Sequence, residues 1–279
     1  MAPLLWHVRH RTLTITRPLV MGIVNVTPDS FSDGGRFLDP VVAIDQALRL
    51  VDEGADLLDV GGESTRPGAE PVPVADELRR IVPVIGGLAG RVSVPISVDT
   101  RKAEVARQAL AAGAAIVNDV TALSGDPAMA DVVRAAGAGV ILMHMRGTPQ
   151  TMQVSPSYSE GVLAAVDRFF ASRLQELPGL GIPPERTALD PGIGFGKTAE
   201  HNRVLMRELK HFGRFGRPVC LGVSRKGFMG KLLNRPVGER LAGSLAVAAH
   251  AVMHGAAQIL RVHDAAATRD VVTVLEWLK

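Results

Sequence analysis

Cysteine is almost absent from this chain. Cys220 is the only one in 279 residues, so no internal disulfide forms and no Cys-x-x-Cys pair is available for metal or redox chemistry. Runs of one charge are missing too. Lys and Arg number 31 against 28 Asp and Glu, a net charge of +3 and a pI of about 9.3, and the basic residues are scattered. That balance argues against a nucleic-acid groove or a membrane-binding stripe and leaves an anionic small molecule as a compatible ligand. The opening segment "MAPLLWHVRHRTLTITRP" has no apolar core long enough for a signal peptide. The longest apolar stretch, "LAGSLAVAAHAVMHGAAQILRV", carries His250 and His254 and breaks at Gly255, so it reads as a core helix followed by a strand. A soluble protein of a reducing cytoplasm is expected, with neither nucleic acid nor membrane as partner. No linker, composition shift or internal repeat divides the chain, and 47% hydrophobic content suffices for one large core. Residues 1–279 therefore read as a single domain.

What is present is an alternation of short apolar runs with longer segments of helical period. The candidate strands are "VMGIVNV", "DLLDV", "PISVD", "AIVND", "GVILMH", "TALDP", "PVCLGVS" and "QILRVH". Helical segments lie between them, several ending in Gly or Gly-Ala where a helix stops, and "DAAATRDVVTVLEWLK" adds an eighth. Continuous apolar strands, each followed by a helix, fit a parallel sheet buried on both faces. Eight such units predict an α/β fold of the (β/α)8 TIM-barrel type, with an open doubly wound sheet as the rival. Residues 1–17, alternating in "LTITR", read as a short N-terminal β-hairpin capping the barrel bottom.

Catalytic sites of such barrels lie at the carboxyl ends of the strands. The residues there are Asn25, Gly61-Gly62-Glu63, Asp99, Asn118-Asp119, His144, Asp190, Ser224-Arg225-Lys226, and Arg261 with His263. Any one of these has an ordinary use as a helix cap or a hydrogen-bonded core residue. All eight strand ends being polar together points to a site. Asp99 and Asp190 close strands whose alternate residues face the barrel interior, where a carboxylate needs a donor or a cation. With Asn118 they suit a heterocycle edge rich in N–H groups. Arg66, Lys226, Arg261 and His263 form a cationic set suited to phosphate or carboxylate.

Two segments, "TPDSFSDGGRFLDP" and "GGESTRPGAEPVPV", are too rich in Gly, Pro, Ser and Asp for regular structure and too long for ordinary connections, as lids are. "DPGIGFGKT" imitates the end of a nucleotide phosphate loop, but Pro191 stands where the motif requires Gly. Its glycines instead let the backbone pass close under a flat ligand, with Phe195 beside it. His250 and His254 have the spacing of helical zinc ligands without the Glu of the protease motif, and read as core or interface residues. There is no nucleophile elbow.

In this order and spacing, "MGIVNVTPDSFSDGG", "GADLLDVGGESTRPGA", "PISVDT", "NDV", "LDPGIGFGK", "LGVSRKGF" and "ILRVHD" resemble the dihydropteroate synthase family of folate biosynthesis, from about residue 20 to about residue 265. The resemblance implies a pterin-binding TIM barrel, usually a homodimer, that joins 6-hydroxymethyl-7,8-dihydropterin diphosphate to 4-aminobenzoate with Mg2+ and is the family of sulfonamide targets. It places Asp99, Asn118, Asp190 and Lys226 around the pterin, with Met143, Phe195 and Gly222 as walls. Asn25 becomes the protein ligand to Mg2+, and Arg66, Arg261 and His263 take the diphosphate oxygens. Thr65, Pro67, Ser224, Arg225, Lys226 and Phe31 form the aminobenzoate site, and Asp99, Lys226 and Arg66 carry the chemistry. "RVHDA" departs only in Ala265, where a larger apolar residue is common. A pterin-dependent methyltransferase on the same barrel is the nearest alternative, and an inactive pterin-binding copy another. The "TRPGA" and Ser224-Arg225-Lys226 stretches favour the synthase.

Overall fold

The computed structural model describes residues 3–27 and 39–279. It opens with an antiparallel hairpin, β1 (Leu4–Val8) and β2 (Arg11–Ile15). Eight parallel strands follow: β3 (Leu19–Asn25), β4 (Leu57–Gly61), β5 (Ile96–Asp99), β6 (Ile116–Asp119), β7 (Gly139–Met143), β8 (Thr187–Asp190), β9 (Cys220–Leu221) and β10 (Ile259–Val262). Their hydrogen-bonded order runs β8, β7, β6, β5, β4, β3, β10, β9. The two ends of that series meet through a parallel bridge between Leu189 and Val219, with Leu189 N–H donating to the Pro218 carbonyl at 2.8 Å. The sheet thus closes into the expected (β/α)8 barrel, and an open sheet is excluded. Each strand falls on an apolar run of the sequence, and β9 is the shortest.

The strands are separated by α1 (Pro40–Asp52), α2 (Val74–Leu88), α3 (Ala103–Ala112), α4 (Met129–Ala136), α5 (Val162–Glu176), α6 (Ala199–Arg207), α7 (Gly227–Leu233) and α8 (Leu241–Met253), with α9 (Ala265–Trp277) last. Local chemistry sets their ends. The Asp39 carboxylate caps α1 by accepting from Val41 N–H at 2.9 Å, with Pro40 as first helical residue. Gly137 ends α4 in the left-handed region at φ 60°. The short α7 was not expected: "GFMGKLL" holds too few periodic residues to stand out from the loop around it.

Inside the barrel the strand period of two stacks side chains in layers. At the amino-terminal end, Met21, Leu57, Ile116, Ile141, Ala188, Cys220 and Ile259 form an apolar plug with Trp6, Val8 and Ile15 of the hairpin. The Trp6 indole donates to the Arg186 carbonyl at 2.9 Å, fixing the hairpin across that opening. Towards the carboxyl ends the interior becomes polar, with Asp59, Asn118, Asp190 and Arg261 replacing hydrocarbon. Packing alone has no use for such a layer.

Candidate active site

The polar layer is organised by a guanidinium. Arg261, on β10, donates from Nε to Asp59 Oδ2 at 2.6 Å and from Nη2 to Asp99 Oδ2 at 2.7 Å. Asn118 Nδ2 donates to the same Asp59 oxygen at 3.0 Å. The register supports this, because Gly61 pairs with Asp99 and Asp99 with Asn118 on consecutive strands. Burial, together with Asp59, Glu77 and Asp119, pushes Asp99 up to about 7 against the pull of Arg261. For Arg261, Asp59 and Asp99 outweigh burial and hold it above its usual value.

Asp190 enters from the neighbouring side. Its Oδ1 accepts the Gly192 N–H at 2.7 Å, and burial lifts its pKa. A Cβ added at Gly222 would stand 3.7 Å from Asp190 Oδ2, so the space above this carboxylate is kept open by a missing side chain. The "GIGFG" loop explains its own composition. Gly192 and Gly196 have φ of 69° and 65°, and their Cβ atoms would meet the carbonyl oxygens of His144 at 2.0 Å and Arg146 at 2.7 Å. The loop is therefore laid directly on the segment after β7. It presents Phe195 to Lys226, whose Nζ lies 4.3 Å from the ring centroid. Burial lowers Lys226 to about 8 despite Asp190. Met143, in register with Asp190, is buried.

Ser224 and His263 meet at the rim: the Ser224 Oγ lies 3.0 Å from His263 Nδ1 and accepts the His263 N–H at 3.2 Å. Burial and the cations Arg261 and Arg225 hold His263 down at about 4. These influences favour a neutral imidazole bonded to Ser224, whereas the sequence places His263 in a cationic set. Arg225 is held through both its side chain and its backbone. Its guanidinium forms a two-pronged ion pair with Asp264, its backbone is left-handed at φ 55°, and its N–H donates to Ser244 Oγ at 2.9 Å. Asn25 ends β3 in register with Gly61 and is partly buried.

Thr65, Arg66 and Pro67 lie on the irregular segment between β4 and α2, which docks through Gly68 N–H on the Pro149 carbonyl at 3.0 Å. Arg66 and Pro67 are exposed, and Arg66 borders a cleft of about 390 Å³ shared with Thr27, Ser64 and Arg80. Phe31 lies outside the described residues. Three other strand-end residues serve the scaffold. Asp119 accepts from Thr121 and Leu123 N–H at 2.7 and 2.9 Å, and Glu63 pairs with Arg101 and Lys102. His144 faces Lys197. His250 and His254 are exposed, not core, with ring centroids 4.3 Å apart.

Two residues of the site escaped sequence reading. Asp59 is fully buried in mid-strand, and its Oδ1 has no partner among the described residues. Its signal was a carboxylate inside the apolar run "DLLDVG". Lys197 is the other. Its buried Nζ meets His144 Nδ1 at 3.0 Å and the carbonyls of His144 and Phe195 at 3.1 and 3.0 Å. The ammonium thereby ties the Phe195 loop to the end of β7. Burial and Lys197 hold His144 down at about 3. A histidine that titrates near 6.5 when unfolded and near 3 when folded binds fewer protons in the folded chain, so its contribution to stability is whole above 6.5 and declines as pH falls towards 3. The destabilisation caused by His144→Asn is expected to shrink between pH 7.5 and pH 5, measured by urea unfolding of both proteins. A difference that stays constant with pH would contradict a neutral buried His144.

Carboxylates over a glycine-opened floor, with an aromatic wall and arginines alongside, at the catalytic end of a barrel, define an enzyme that holds a flat, donor-rich heterocycle next to an anion. The model of the family described as pterin binding enzyme matches residues 21–263. Dihydropteroate synthase of Escherichia coli (strain K12) is 46% identical over 265 residues, 95% of this chain and 93% of that protein. The solved dihydropteroate synthase of Xanthomonas albilineans with 4-aminobenzoic acid matches with a TM-score of 0.92 at 46% identity, covering 99% of this chain and 98% of that one. The same organism's enzyme in complex with 7,8-dihydropteroate gives 0.88 at 44% identity, covering 98% of each chain. The chain belongs to the pterin binding enzyme family, among its dihydropteroate synthases.

Proposed function

We propose that this protein condenses 6-hydroxymethyl-7,8-dihydropterin diphosphate with 4-aminobenzoate to give 7,8-dihydropteroate and diphosphate. The observation that carries this reading is the buried acceptor set of Asp99, Asn118 and Asp190 beside the cation of Lys226. A dihydropterin offers amino and ring N–H donors to the carboxylates and a carbonyl to the ammonium. Phe195 and Met143 flank its faces, and Gly222 leaves it room.

The bond from the pterin methylene to the diphosphate oxygen breaks with its electron pair going to the leaving group. The positive charge left behind spreads over the dihydropterin ring, where Asp99 lies ready to stabilise it. The amine of 4-aminobenzoate then forms the new carbon–nitrogen bond and releases a proton to water. Arg66, Arg261 and His263 receive the diphosphate oxygens. Thr65, Pro67, Ser224, Arg225 and Lys226 surround the aminobenzoate. Because no general base faces the amine in this reading, positioning by the loops carries the second step.

Mg2+ fits the residues present. No group of three or more His, Cys, Asp and Glu able to hold a metal occurs among the described residues. The side-chain oxygen of Asn25 is the donor that would hold the ion beside the diphosphate. Held there with the diphosphate, the ion would supply neutralising charge to the leaving group. A pairing of two copies is supported by the uncovered apolar surface of α8 and α9, where Leu241, Met253, Val274, Trp277 and Leu278 are exposed. No helix among the described residues is long and apolar enough to cross a membrane. The buried free thiol of Cys220 agrees with a reducing cytoplasm.

The direct test supplies the purified protein with the dihydropterin diphosphate and Mg2+, with and without 4-aminobenzoate, and identifies the product by mass. Dihydropteroate is expected only with all three. Pterin binding without product would indicate an inactive pterin-binding copy. Arg66→Ala is expected to lower kcat roughly tenfold or more while changing the affinity for the pterin diphosphate less than about threefold, since the residue is exposed and joins the site through its loop. An undiminished kcat would remove Arg66 from the reaction.

A further inference from the structure

Lys102 lies between β5 and α3, and the chemistry above gives it nothing to do. Its ammonium nevertheless meets three acceptors: a Glu63 carboxylate oxygen, Glu77 Oε2 at 2.5 Å and the Val72 carbonyl at 2.6 Å. Glu63 begins the irregular segment 63–73, Val72 stands at its end, and Glu77 belongs to the first turn of α2. One side chain thus grips both feet of the loop and the helix that follows.

The grip is built in depth. Arg101 Nη2 donates to the second Glu63 oxygen at 3.0 Å, and Arg80 Nη1 donates to the Gly62 carbonyl at 2.7 Å. A Cβ at Gly62 would come within 2.8 Å of Ile81 Cγ2, so the entry to the loop lies flush on α2. Glu77 is fully buried, and its Oε1 has no partner among the described residues. A carboxylate placed so deep is costly unless a cation repays it, and Lys102 is the cation it meets. Between its feet the loop is held lightly. Gly68 touches the Pro149 carbonyl, and Glu70 accepts from Gln150 at 3.3 Å across an exposed surface.

We propose that Lys102 is a positioning residue for the loop that carries Thr65, Arg66 and Pro67. It staples both feet of the loop to the strand end that bears Asp99, three residues earlier in the chain. The loop then opens and closes as a flap on fixed feet, and its tip returns to the same place over the pterin. Fixing the ends removes most of the conformations that a segment of this length would otherwise search. The gain appears as correct placement of the second substrate. This inference rests on the reading of the loop as part of the aminobenzoate site.

The test uses the full chain with Lys102→Met, which keeps the side-chain stem. Because that change strands buried carboxylates, Lys102→Met/Glu77→Gln is examined beside it. In both proteins, amide hydrogen exchange across 63–73 without ligands is expected to quicken about tenfold or more. The KM for 4-aminobenzoate is expected to rise about tenfold, while the affinity for the pterin diphosphate stays within about twofold of wild type. Unchanged exchange and unchanged KM in either folded variant would overturn the proposal. So would equal losses for both substrates, which a general structural role would produce. If wild type makes no dihydropteroate, the aminobenzoate reading fails by itself, and the exchange measurement decides the staple alone: quickened exchange upholds it and unchanged exchange removes it.

Discussion

Asp99→Asn is expected to lower kcat by roughly 10² to 10³, the scale of losing one preorganised electrostatic contact to a charged transition state, with far less change in the affinity for the pterin diphosphate. The two side chains have nearly the same shape, so the pterin still finds a hydrogen-bonding group at the end of β5. What disappears is a negative charge held in place by Arg261 at 2.7 Å. The pH profile separates this from a loss of fit. With Asp99 pushed up to about 7, the active carboxylate form is lost as pH falls through that value, so wild-type kcat/KM should decline on the acid side. An asparagine cannot titrate, so the variant should show a flat, low profile over the same range. Equal losses of kcat and pterin affinity would assign Asp99 to binding alone.

Asp190→Asn should produce the opposite split, with pterin affinity falling roughly a hundredfold or more and the fold intact. The Gly192 N–H, 2.7 Å from Asp190 Oδ1, decides how an asparagine would sit. Its carbonyl oxygen takes that N–H, which turns its NH2 towards the space beside Gly222 where Asp190 Oδ2 now lies. A donor then faces the pterin's own donors in a buried site, and neither finds an acceptor. Titration of the unreacted dihydropterin diphosphate, followed by its fluorescence or by calorimetry, measures the effect. A change below about threefold would remove Asp190 from the pterin edge.

Much of this was legible in the sequence, for identifiable reasons. Parallel strands buried on both faces read as largely apolar runs, and each of the eight falls on such a run, β3 starting one residue before it and β4 ending one residue after it. The residues ending those runs were visible because barrels expose their strand ends. Nothing in the sequence sorts Asn118 from Asp119; the structure does, with Asn118 donating to Asp59 inside the barrel and Asp119 accepting from its own loop. Asp59 gives no strand-end signal, because it sits within a run and not at its end. Lys197 carries no signal of its own in "GFGKT", because its partners are the distant His144 and a backbone carbonyl. The charge of His263 is out of reach of the sequence, since it depends first on burial at the rim and then on Arg261 together with Arg225, which the fold brings near. Expectations for Phe31 fall outside the described residues.

The ion pairs of Arg261 span 202 residues to Asp59 and 162 to Asp99. A ribosome making this chain therefore releases both carboxylates long before their cation exists. Until β10 emerges, closing the half-built barrel would bury those acids without a counter-charge, so early closure is penalised and they stay wet. The last strand supplies hydrogen bonds to β3 and β9 together with the arginine that neutralises those acids. Completion of the fold and assembly of the pterin site are then one late event in biosynthesis, and a chain cut short before residue 259 would lack both.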